Sequence, residues 1–182
     1  PVFDSERQGF TKTLNDTFEK IVVKYLVYLA EDAFPGMNWL RCARYSLERT
    51  GKGLLAFNDG KWSGRIASFG MVDVRWVKTL YQGEVFYPGY QSHDADTELT
   101  IIARANDMHI YNPECTLVEY DPDKKFCRYP NPHDRLLFEK RFLDGFDGLV
   151  ASERLKEIAS EYGINLAARR EIKCSSISDE SE

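Results

Sequence analysis

The sequence predicts an α+β protein in which a curved antiparallel sheet, or a partial barrel, is flanked by N-terminal and C-terminal helices. Apolar residues recur at helical spacing near the start of the chain. Short apolar or alternating segments, separated by turn residues, occupy the middle, and helical patterns return near the end. Strands and helices do not alternate in the way that is typical of a parallel sheet.

The N-terminal part predicts two helices. In residues 10–34 apolar side chains such as Phe10, Leu14 and Phe18 are spaced by four, and Pro35 and Gly36 end the pattern. The second half of this segment is apolar on nearly every side and rich in β-branched residues, so a strand is also open there. A shorter helix is predicted over residues 38–48.

The central part predicts an antiparallel meander. Asn58, Asp59 and Gly60 form a hairpin turn signal, because Asp-Gly pairs tolerate positive φ. Apolar and charged residues alternate around Asp73 and Arg75, as in a strand with one buried face. The predicted strands cover residues 54–57, 62–69, 71–80, 84–87, 99–103, 108–111 and 116–120.

The C-terminal part predicts helices again. Asn131 can cap a helix, and Pro132 suits its first turn. A second helix is predicted to begin near Ser152. We expect one α+β domain over residues 1–172, followed by an acidic, disordered tail over residues 173–182.

Composition narrows the class and the compartment. With 182 residues the chain fits one domain. Its net charge of −5 makes nucleic acid a poor partner, since phosphate contacts need a basic surface. No stretch is long enough to span a membrane, and the four cysteines form no CxxC pair. We therefore expect a soluble intracellular protein, cytoplasmic or nuclear, with free thiols and no cofactor or metal.

The most informative segment is residues 81–98, where aromatic rings precede acidic residues. Rings around a cavity can hold a cation through cation–π attraction, and nearby carboxylates add Coulomb attraction. The same rings also suit the core of a sheet. The candidate ligand-binding residues are Trp76, Tyr81, Phe86, Tyr87, Tyr90, Asp94, Asp96 and Glu98.

Two segments of this region, GKWSGRI and YQGEVFYPGY, resemble the Tudor-type barrels that bind methylated lysine or arginine. The resemblance covers a small part of the chain and includes no diagnostic motif. It implies a twisted barrel of short strands with an aromatic cage for a methylated ammonium or guanidinium group.

Histidines beside carboxylates suggest a different chemistry. His93 precedes Asp94, and His109 follows Asp107 at a spacing of two. A histidine oriented by a carboxylate can act as an acid or base near neutral pH. The carboxylates at 94, 96 and 98 could share a face of an extended chain and hold Mg²⁺ or Ca²⁺, but the calcium-loop pattern is incomplete.

Three hypotheses follow. The first is a non-catalytic intracellular binding domain that recognises a protein or a basic, methylated peptide through the aromatic and acidic residues. The alternative is a small enzyme or ligand-binding protein with a pocket in the curved sheet and an acid–base pair, His93–Asp94 or His109–Asp107. The third is a structural protein that forms a homo-oligomer through exposed rings.

Overall fold

The structure is a computed structural model that describes residues 8–120 and 131–162. Its strands are β1 (Tyr25–Tyr28), β2 (Ala33–Pro35), β3 (Leu54–Asn58), β4 (Gly70–Asp73) and β5 (His109–Glu119). Its helices are α1 (Phe10–Glu19), α2 (Trp39–Thr50), α3 (Val74–Val77), α4 (Ala95–Ala105), α5 (Pro132–Leu143), α6 (Gly145–Gly148) and α7 (Ser152–Ala159).

The described strands form one curled five-stranded sheet in the order β1-β4-β3-β5-β2. The β1–β4, β3–β4 and β2–β5 pairs are antiparallel, whereas β3 and β5 run parallel. The α+β class is therefore confirmed, and the sheet is mixed where the sequence predicted a wholly antiparallel one. The parallel pair arises because α4 carries the chain back before β5 begins.

Apolar side chains cover both faces of the sheet. In β3, Leu54 and Ala56 pack with residues of α4 and α5, while Leu55 and Phe57 pack with residues of α2. Neighbouring residues of a strand point to opposite faces, so an uninterrupted apolar run such as Leu54–Phe57 indicates burial on both sides. β3 is accordingly the central strand of the core.

Local signals explain where the helices begin and end. The Asn131 side chain accepts a hydrogen bond from the backbone N–H of His133, and Pro132 occupies the first turn of α5, as predicted. Gly51 ends α2 with φ 67°, in the left-handed region that glycine enters without strain.

Several predicted elements are wrong in type. Residues 99–103 belong to the helix α4 and not to a strand. That helix is buried on nearly every side, so its sequence lacks the polar face from which a helix is predicted. The strand predicted at 71–80 ends at Asp73, whose side chain caps the short helix α3. Residues 62–69 and 84–87 form no strand, and the helix predicted over 10–34 ends at Glu19, before β1. A Tudor-type barrel is therefore not formed.

The remaining boundaries agree more closely. The predicted helices near residues 38–48 and 152 correspond to α2 and α7, and the strand at 54–57 corresponds to β3. The two strands predicted at 108–111 and 116–120 are the two ends of one strand, β5. The acidic tail at 173–182 lies outside the described residues. Within the described ranges, no helix is long and apolar enough to cross a membrane.

The packing of Gly53 against Trp76 gives a first testable prediction. A Cβ atom at Gly53 would lie 2.2 Å from the Trp76 ring, well inside van der Waals contact. We expect Gly53→Ala to lower the free energy of unfolding by about 1–3 kcal/mol through overpacking. Urea denaturation followed by circular dichroism measures the change.

A second variant isolates the clash. In Gly53→Ala/Trp76→Ala the obstructing ring is gone, so the two effects should be less than additive. Strict additivity would contradict the packing described here.

Candidate functional site

A buried carboxylate lies where β3 ends. Asp59 is 2% exposed, and its Oδ1 accepts hydrogen bonds from the backbone N–H groups of Lys61 and Trp62, both at 2.8 Å. Its Oδ2 accepts a hydrogen bond from the Ser68 hydroxyl at 2.6 Å. Asp59 thereby fixes both ends of the loop that joins β3 to β4.

Two further carboxylates lie at the start of α4. Asp94 precedes the helix with φ 62°, and its Oδ2 is buried with no hydrogen-bond partner among the described residues. Asp96 occupies the first turn, and its Oδ1 accepts a hydrogen bond from the Thr97 backbone N–H at 2.8 Å. Burial raises the pKa of both carboxyl groups, that of Asp96 to about 6.

The loop between β3 and β4 connects these two places. The Thr100 hydroxyl donates to the backbone oxygen of Asp96 at 2.6 Å and accepts from the Ala67 N–H at 3.0 Å. Ala67 is the neighbour of Ser68, which binds Asp59. Asp59 and Asp96 are thus joined through one short, hydrogen-bonded segment.

Buried Tyr28 reinforces that segment. Its hydroxyl donates to the Ala67 carbonyl at 2.8 Å, while burial and then the charge of Asp96 raise its pKa well above the ordinary range. Lys61 and Arg65 are exposed on the same loop. The arrangement is a hydrogen-bonded loop with cations on its surface and a carboxylate at either end. We refer to the set Asp59, Lys61, Arg65, Asp94 and Asp96 as the loop-carboxylate site.

The aromatic residues of the predicted ligand-binding site are buried or partly buried. Tyr81, Phe86 and Tyr90 are buried in the core, and Trp76 and Tyr87 are partly buried. Tyr87 does contact a cation, but it is the protein's own Arg141, whose guanidinium carbon lies 3.3 Å from the ring centroid. An aromatic cage open to a peptide is not supported, and the Tyr87 ring instead stabilises an internal charge.

Arg141 forms a buried ion pair with Glu98. Its Nε and Nη2 donate to the two carboxylate oxygens at 2.9 and 2.8 Å, and the Tyr90 hydroxyl donates to the same carboxylate at 2.7 Å. Its Nη1 donates to Asp147 at 2.8 Å. Arg141 and Glu98 are 5% and 0% exposed, so the pair is almost wholly removed from water.

Asp134 holds the chain that leads into α4. Its side chain is fully buried, and it accepts hydrogen bonds from the backbone N–H groups of Gln91, Ser92 and His93 at 2.9–3.0 Å. Burial opposes ionisation of Asp134, but these donors outweigh it and lower its pKa. This anchor sets the position of Asp94.

The two predicted acid–base pairs have different surroundings. The His93 ring is exposed and lies 2.9 Å from the Ser92 hydroxyl. Asp107 pairs with Lys52 at 2.7 Å instead of with His109. Burial, followed by the charge of Arg104, lowers the pKa of His109 to about 4, which makes it a weak base.

Of the sequence candidates, Asp94 and Asp96 lie in the loop-carboxylate site, whereas Glu98 lies in the internal ion pair. The sequence interpretation missed the roles of Asp59, Asp134 and Arg141. A carboxylate directly after a buried strand was an available signal for Asp59. No local signal distinguishes Arg141 from other arginines on an amphipathic helix.

Comparison with known proteins gives a result at the level of the fold. No family model and no curated protein match the chain. Among solved structures, the chain resembles the mannosyltransferase PcManGT from Pyrobaculum calidifontis in complex with GDP-Man and Mn²⁺, with a TM-score of 0.53 and 15% sequence identity. The likeness covers 99% of this chain and 63% of that protein. At this identity it describes the fold.

The Glu98–Arg141 pair generates a stability prediction. Removing one partner leaves the other charge buried and unpaired, so Arg141→Met should lower the free energy of unfolding by about 3–5 kcal/mol. Glu98→Gln should be similarly costly. Chemical denaturation measures both effects, and Arg154→Met on the exposed surface of α7 is the matched control.

The double variant Glu98→Gln/Arg141→Met should recover part of the loss, because neither charge then remains unpaired. A double variant that is as unstable as the sum of the two single variants would contradict direct pairing.

Asp134 generates a pH prediction. Its folded-state pKa lies below the ordinary value of 3.8, so its stabilisation is complete above that value and is lost as the pH falls through the folded-state pKa. Asp134→Asn removes this dependence. The wild type should therefore exceed the variant in free energy of unfolding at pH 7 by about 1–3 kcal/mol.

The difference should shrink as the pH falls from about 5 to about 2, since the wild-type carboxylate becomes protonated. Thermal unfolding across this range measures it. A difference that does not change with pH would show that the charge of Asp134 contributes nothing.

Proposed function

We propose that this chain is a glycosyltransferase-like enzyme that transfers a sugar from a nucleoside diphosphate sugar to an acceptor hydroxyl. The observation that carries the proposal is a pair of carboxylates, buried Asp59 and half-buried Asp96, held at opposite ends of one cationic loop within a fold that resembles a mannosyltransferase. That neighbour was solved with GDP-Man, a donor of this class.

The position within the sheet supports a ligand site there. In open sheets with parallel strands, ligands bind beyond the carboxyl ends of those strands. β3 and β5 are parallel, and Asp59 directly follows the end of β3. The Glu119 N–H at the end of β5 donates to the Asp59 carbonyl, so the two strand ends are joined.

The exposed cations of the loop suit a diphosphate. Lys61 and Arg65 lie between Asp59 and Ala67, and Lys61 reaches Glu119 at 3.2 Å. A diphosphate carries charge that lysine and arginine bind through charge-assisted hydrogen bonds. We assign these two side chains to the donor's diphosphate, where they would also stabilise the charge that develops on the leaving group.

Asp96 suits the role of general base. A base works best when its pKa lies near the working pH, and burial raises that of Asp96 to about 6. In the proposed reaction the acceptor oxygen forms a bond to the anomeric carbon and its proton passes to Asp96. The bond from the anomeric carbon to the phosphate oxygen breaks, and the nucleoside diphosphate leaves with the electron pair.

The described residues do not form a site that fits the Mn²⁺ of the mannosyltransferase. Within residues 8–120 and 131–162, no three His, Cys, Asp or Glu side chains come together as a metal centre. Both oxygens of Asp59 already accept hydrogen bonds from the protein. The steps proposed above therefore involve protein groups alone.

Asp96→Asn tests the proposal. With GDP-mannose as donor and a panel of mannosides as acceptors, we expect the variant to lose about 10²–10⁴-fold in transfer rate, since it cannot accept the proton. Wild-type activity should rise as the pH increases through about 6, where Asp96 ionises. Product formation followed by mass spectrometry measures both.

Stability separates this loss from misfolding. The raised folded-state pKa means that ionised Asp96 destabilises the fold as the pH rises through about 6, so Asp96→Asn should be more stable than the wild type at pH 7. Glu153→Gln, on the exposed face of α7, is the control. Equal transfer by Asp96→Asn and the wild type would overturn the assignment of the base.

A further inference from the structure

A large open cavity lies apart from the loop-carboxylate site. It has a volume of about 910 Å³ and is formed by α1, the segment from Lys78 to Pro88, and the turn around Asp147. Ligand pockets are typically about 300–1,000 Å³. None of the residues Asp59, Asp94 and Asp96 lines it, so it is a separate feature of the surface.

Buried hydrogen bonds hold the walls of this cavity in place. The Asn15 side chain on α1 accepts from the backbone N–H groups of Val85 and Phe86 at 3.2 and 3.1 Å, and donates to the Phe86 carbonyl at 2.9 Å. Arg141 holds Tyr87 and Asp147 from the opposite side. The cavity is therefore preformed, which lowers the entropic cost of binding a ligand.

The lining combines hydrogen-bonding groups with apolar surface. Glu19 and Glu84 offer carboxylates that have no ion pair within the described ranges, and Gln82 adds an exposed amide at the rim. Leu80, Tyr87 and Pro88 contribute apolar surface between them. Sugars complement this lining. Their hydroxyl groups donate hydrogen bonds to carboxylates and amides, and their C–H faces pack on apolar surface.

From this complementarity we infer that the cavity binds a saccharide that forms part of a longer acceptor chain, whose reacting hydroxyl lies at Asp96. The identification of the bound saccharide as an acceptor rests on the proposed transferase function. Binding of the saccharide itself does not depend on transfer. Glu84 is the central residue, because it lies half-buried in the wall between the Asn15 contact and the exposed Gln82.

Amide NMR titration of the full chain tests the inference. The probes are methyl α-mannopyranoside, methyl β-glucopyranoside and mannobiose, added without any nucleotide donor. At least one should shift the backbone resonances of Gln82, Gly83 and Glu84. Glu84→Ala should weaken that binding by about tenfold, the loss expected for one charge-assisted hydrogen bond. Glu114→Ala, an exposed glutamate in β5, should leave it unchanged.

Three outcomes would overturn the inference. They are the absence of shifts with every saccharide, equal affinity of Glu84→Ala and the wild type, and shifts at this cavity that only an amine such as spermidine produces. Asp96→Asn should still bind the saccharide, so loss of transfer with retained binding tests the catalytic proposal alone. Donor-dependent transfer without saccharide binding here would defeat this inference and leave the proposed function standing.

Discussion

The buried pair of Glu98 and Arg141 is the interaction on which the arrangement of this protein depends. It joins α4 to α5 and, through Tyr87, Tyr90 and Asp147, fixes the aromatic segment and the turn after α5. Removing two charges from water is expensive, and here a two-point hydrogen bond, a tyrosine hydroxyl and an aromatic face offset the cost together. Helices that must meet at this pair have little freedom to shift.

That constraint connects the core to the loop-carboxylate site. Glu98 and Asp96 lie two residues apart on α4, so the helix that presents a fully buried, paired carboxylate also presents a half-buried one with a raised pKa. Asp134 fixes the preceding residues through backbone donors, and Thr100 fixes the loop that begins at Asp59. Neighbouring carboxylates thus have different environments and different roles, which is common where a fold supports acid–base chemistry.

The sequence predicts elements best where a local cause decides them. Asn131 and Pro132 begin α5, and the run Leu54–Phe57 forms a strand, because capping and burial act over a few residues. α4 was not predicted as a helix, because burial on nearly every side removes the amphipathic pattern from its sequence. The role of Arg141 was not predicted, since Glu98 and Tyr87 lie 43 and 54 residues away from it along the chain. Tyr87 was predicted to bind the cation of a peptide, and it instead contacts the cation of Arg141. Pairing over such distances leaves no trace in local spacing.

Hydrogen–deuterium exchange in the presence of GDP-mannose reports where a donor of this class binds, and it does so without requiring turnover. We expect slower exchange in residues 59–69 and in the first turn of α4, and a loss of that protection in Lys61→Ala/Arg65→Ala. Unchanged exchange in both segments at saturating nucleotide sugar, or protection confined to other parts of the sheet, would contradict the proposed donor site.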